Sequence, residues 1–179
     1  MTQIVRNRVQ GRERGAVLVI SLLMLLVMTV LGLTAMQMTR MEERMAGNSR
    51  DVNVAFQGAE AGLRDAEERL RAMTVRPSTC ISPPCVVFRE ETLPVDLRDQ
   101  PLSWWNAWGS EFGASGSHEV TDVVRDPLVV IEDLGFVRDS LTTGHEPPQG
   151  RNFYRVTANS AGATPQTEVV LESTYTRPF

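Results

Sequence analysis

No lysine occurs in this chain of 179 residues; all 18 basic residues are arginine. Beyond the first fifteen residues the arginines form no run dense enough to track a phosphate backbone, which excludes a nucleic-acid-binding surface. Histidine is almost missing as well. His118 and His145 are the only two, each in a loop-like stretch bearing Gly or Ser. A catalytic centre needs a nucleophile, a base and an orienting group in one pocket, and two such residues suggest none. Gly-x-Ser-x-Gly, phosphate-loop and His-Glu-x-x-His sequences are absent. The expectation is a chain that is not an enzyme, with no cofactor and no resident metal.

Cysteine is nearly as scarce. Cys80 and Cys85 enclose Ile-Ser-Pro-Pro. In an oxidising compartment so close a pair reads as a small disulfide loop, with free thiols as the alternative. Four intervening residues exclude a C-x-x-C redox pair, and the histidines are too distant in sequence to complete a zinc site. Aromatic residues are 6% of the chain. Three of them cluster as Trp104, Trp105 and Trp108, which either cap a core or anchor a partner.

The chain does have one long stretch without charge. Ala16 to Thr39 is an uncharged run of 24 residues. As a helix it spans about 36 Å, enough for a hydrocarbon core of about 30 Å. Before it stand Arg6, Arg8, Arg12 and Arg14 against Glu13, a leader of net charge +3. Losing that leader takes the whole from −4 to −7. Arginines flanking a span prefer the cytoplasmic side, so the C-terminal part is expected outside, in the periplasm of a two-membrane bacterium. A secretory signal has a shorter apolar core and a small-x-small cleavage site. Here the residue two before Ala35 is Leu33, which is not small. The better cut precedes the apolar run, between Gly15 and Ala16.

Past Arg40 the apolar positions thin to a stripe: Met45, Val52, Phe56, Ala59, Leu63, Ala66, Leu70 and Met73. After the first step the spacings alternate four and three, one face of an amphipathic helix on which a globular head is expected to sit. Pro77 ends the helix near Met73–Arg76. Gly47-Asn48 is the expected bend, and Gly58 and Gly62 suit close packing. Residues 77–126 are irregular, except for a short helix over Pro101–Trp108. Strands are predicted at Leu128–Leu134, Asn152–Ala158 and Glu168–Tyr175, the last two joined by a turn cluster at Asn159–Pro165. The fold class is therefore α+β, a long helix packed on a C-terminal antiparallel sheet. The domain reading is 1–15 leader, 16–39 membrane half, 40–76 amphipathic half and 77–179 head. The acids Glu119, Asp122, Asp126, Glu132 and Asp133 match no calcium loop and are expected on a solvated acidic face.

Arg14-Gly15, the apolar helix after it, Glu42–Asn48 (EERMAGN) and Ala55–Leu63 (AFQGAEAGL) resemble a type IV minor pilin of the PilX type. The closing stretches Tyr154–Ala158 and Val169–Tyr175 are similar to that family's terminal hairpin. The resemblance implies a type IV pilin-like fold and a subunit trimmed after Gly15 by a prepilin peptidase, then N-methylated at Ala16. It also implies partners: other minor pilins, the major pilin, a tip adhesin and an inner-membrane assembly platform. The implied role is pilus initiation near the fibre tip, supporting twitching motility and adhesion. Two positions depart from the usual pattern. Ala16 stands where most pilins have Phe, and Ile20 where most have Glu at the fifth mature position. A carboxylate at that depth is costly unless partnered, so its loss removes a subunit contact and suggests a tip position. A type II secretion pseudopilin, or a membrane-anchored periplasmic protein of another class, is the alternative.

Overall fold

The computed structural model describes residues 15–113, 120–139 and 150–178, so His118, His145 and Glu119 lie outside the described residues. Helix α1 runs Ala16–Ala72, followed by β1 (Phe88–Arg89), α2 (Leu102–Trp108), β2 (Ser110–Glu111), β3 (Leu128–Arg138), β4 (Gly150–Ala161) and β5 (Glu168–Arg177). The chain divides after Gly47 into two compact units.

The first unit is helix alone. Its large side chains, from Val17 to Met45, are exposed. The few hydroxyls within it satisfy themselves on the helix's own carbonyls. Ser21 donates to Leu18 O at 2.9 Å, Thr29 to Leu26 O at 2.8 Å and Thr34 to Leu31 O at 2.9 Å. A helix in hydrocarbon requires this internal accounting, because no water is present to bond a stray polar group. The span is long and apolar enough to cross a membrane.

In the second unit, β3, β4 and β5 pair antiparallel in that order, β1 lies parallel to β3, and β2 pairs β3 antiparallel. The sheet is therefore mixed, with its three long strands as expected and two short additions at one edge. Alternation along β3 feeds two cores. Val129 and Ile131, with Tyr154, Val156 and Ala158 of β4, face Ala59, Ala66 and Leu70 of α1. Leu128 and Val130 face the other way, onto Phe88, Leu93, Leu97 and Trp105. Val87 and Phe88 are adjacent and enter opposite cores, so this short segment ties both together. The Cys80–Cys85 disulfide stands beside it, and Cys80 pairs with Phe88 in an isolated bridge.

The seam between α1 and the sheet differs from the expected stripe. Ala55, Gly58, Ala59, Gly62, Ala66 and Leu70 are buried, whereas Met45, Val52 and Phe56 are 64%, 44% and 43% exposed. Close approach selects small residues. A Cβ on Gly62 would meet Pro127, Val129 and Ala158 at 3.1–3.3 Å, and one on Gly58 would collide with Ser160. Helical backbone also runs through Gly47-Asn48, the expected bend.

Candidate functional site

The expected cleavage bond lies at the first turn of α1. Helix starts at Ala16 itself, and the Gly15 carbonyl accepts the Val19 N–H at 3.4 Å. Gly15 therefore caps the helix, with exposed backbone. Among the described residues no atom lies within 4 Å of where its Cβ would be, so their packing gives no reason for a glycine. Ile20, one turn on, is 59% exposed and presents an apolar side chain.

The head meets α1 through polar anchors far apart in sequence. Asp51 accepts the Thr164 N–H at 3.1 Å and the Thr164 hydroxyl, clasping the β4–β5 turn to the helix. These hydrogen bonds hold its carboxyl below the usual aspartate value of 3.8. Arg177 donates to the Leu70 carbonyl at the other end of the seam. Just past the helix, Arg76 pairs with Asp133 at 2.9 Å. That bond to Asp133 raises the arginine's pKa further.

Glu132 and Asp133 correct the expectation of a solvated acidic face: each is only 4% exposed. A buried carboxylate needs a partner, and each has an arginine from elsewhere in the chain. Arg155 lies 3.2 Å from Glu132 and 3.5 Å from Glu172. Burial still pushes the Glu132 carboxyl above its ordinary 4.5, against the opposing pull of Arg155. Of the other acids, Asp126 is half-buried and accepts the Val120 N–H, and Asp122 is exposed.

All three tryptophans join the core cluster on the Leu128 and Val130 face of the sheet, Trp105 within it and Trp104 and Trp108 packed against it. Trp105 is fully buried. Trp104 and Trp108, half-buried, stack on each other with centroids 5.7 Å apart and planes 8° from parallel. Trp108 also leans on Phe88 at 5.4 Å. Pro101 stands at the N-cap of α2, one position before the predicted first turn. Sequence reasoning missed the Asp51 clasp and the Arg76–Asp133 pair, because neither has a local signature.

Two protein-family profiles match the chain. The one described as PilX N-terminal covers residues 14–64, and the one described as type IV pilus assembly protein PilX C-term covers residues 47–177. No curated protein and no solved structure matches it.

Proposed function

Because the chain belongs to the PilX family of type IV pilus assembly proteins, we propose that it is a minor pilin, cut after Gly15 by a prepilin peptidase and N-methylated at Ala16. The basic leader stays in the cytoplasm, residues 16–39 span the inner membrane and the head folds outside it. The subunit then leaves the bilayer for the fibre, where it co-assembles with other minor pilins and the major pilin on an inner-membrane platform. The observation that carries this reading is the helix that opens at Ala16 with its large apolar side chains from Val17 to Met45 exposed. Such a surface suits lipid first and the helices of sibling subunits afterwards.

Ile20 supports a position at or near the tip. A subunit with no neighbour above has no use for a carboxylate reaching upward, and an unpartnered one would be costly in an apolar core. There the stacked pair Trp104 and Trp108 offers a contact for other tip components, including an adhesin, and the pilus so initiated supports twitching motility and adhesion. Replacing Gly15 with Leu tests the core of this proposal. The uncut chain should accumulate in the membrane fraction and be lost from sheared fibres. Equal amounts in fibres from both strains would refute processing at this bond.

A further inference from the structure

One long side of the sheet has an open row of backbone groups. Among the described residues β5 pairs with β4 alone, over ten consecutive residue pairs without a register shift. Edge strands are ordinarily kept from pairing by proline, charged side chains, a bulge or short length. Glu168–Arg177 has no proline and no bulge, and its charges are confined to Glu168, Glu172 and Arg177. It is about 33 Å long.

Each face of this edge also opens on a cleft. On the face shared with α2, a cleft of about 500 Å³ is bordered by Val170 and Glu172 of β5, Arg155 and Thr157 of β4, and Glu132. On the face shared with α1, one of about 300 Å³ lies between Tyr175 and the helix residues Arg64, Glu67, Glu68 and Arg71. An extended backbone laid on an edge sends alternate side chains to opposite faces, and flanking pockets of this kind give strand addition its specificity.

We propose that the β5 edge is a strand-addition site for an extended segment of a different protein, with a basic side chain set against Glu172. The charge balance carries the choice of occupant. Glu132 and Glu172 share the single guanidinium of Arg155, and Glu172, the outer of the two, has a side chain 58% exposed. Arg98 also lines this cleft and feels the charge of Glu172, but it is bonded to Asp96 at 3.0 Å, so the cleft holds three carboxylates against two guanidinium groups. A second copy of this chain fits badly: on that face its β5 brings only the acids Glu168 and Glu172 to a place already rich in acid.

A photo-reactive residue at Thr174 or Thr176 of the full-length chain, in its own cells, tests this, with exposed Thr121 as the control position. The expected adducts contain one other protein, and the residues linked from the two positions lie two apart in a single segment. Glu172→Gln should lower the Thr174 yield about fivefold, with an unchanged melting curve showing that the head remains folded. The inference is overturned by yields no higher than at Thr121, by adducts of two copies of this chain, by linked residues without a period of two, or by an unchanged yield in Glu172→Gln. An adduct still starting at Met1 would sink the pilin reading and leave strand addition standing.

Discussion

The two halves of α1 solve opposite problems with the same backbone. From Val17 to Met45 the large side chains are exposed among the described residues. From Ala55 to Leu70 the buried positions are small apart from Leu70, and the sheet lies against them. The first half needs an apolar surrounding from outside the chain. The second supplies its own by letting strands come close, which a stripe of Met, Val and Phe would prevent.

Glycine substitutions at matched size break this comparison most sharply. Gly62→Leu drives a side chain into Pro127, Val129 and Ala158 and should destabilise the head by about 3 kcal/mol in denaturant unfolding of detergent-solubilised chain. Gly32→Leu, with nothing within 4 Å, should leave that unfolding curve where it was. Equal losses would mean that the halves do not differ as described.

Arg76→Ala comes next. It strands the buried Asp133 carboxylate and should cost about 2 kcal/mol, less than a fully buried pair, because the Arg76 side chain is 48% exposed. Asp133→Asn should cost less, since the charge left behind is that of Arg76, which is half-exposed to water rather than buried.

Smaller effects follow from pH, and their signs oppose each other. The Asp51 carboxyl is held below 3.8, so its contribution is full above that value and is lost as pH falls through its folded pKa. Glu132 is raised above 4.5 by burial, so its cost is present above its folded pKa and relieved as pH falls toward 4.5. Unfolding free energy measured from neutral pH down to 4.5 should therefore rise relative to Glu132→Gln, which lacks this term. Parallel curves would contradict the burial account. The smallest change in the head is expected from Ile20→Glu. Its unfolding should be unaltered while pilus number or the subunit's place in the fibre shifts; if neither moves, Ile20 does not mark a tip subunit.

Much of this was legible in residue order because the signals were long. The span, its boundary at Gly15, the three long strands and the closing hairpin each extend over enough residues for a period to show. The two-residue strands β1 and β2 carry no period at all. Asn159, Ser160 and Ala161 read as a turn, yet they close β4 as buried strand, with Arg125 donating to Asn159 at 2.6 Å. Glu132 and Asp133 read as solvated because their arginines lie 23 and 57 residues away. The second half of the stripe, Ala59, Leu63, Ala66, Leu70 and Met73, does meet the core. Its first half misled, because periodicity finds large apolar residues such as Met45, Val52 and Phe56, while the seam there is made of the small Ala55, Gly58 and Gly62.

The most direct measurement is the mass of the mature N-terminal peptide from sheared fibres. With no lysine in the chain, amine-directed labelling reports on the α-amino end alone, free of side-chain background. The account predicts a peptide beginning at Ala16 and carrying one added methyl, in a chain that still holds the head. A start at Met1, or at any residue beyond Thr39, would contradict it.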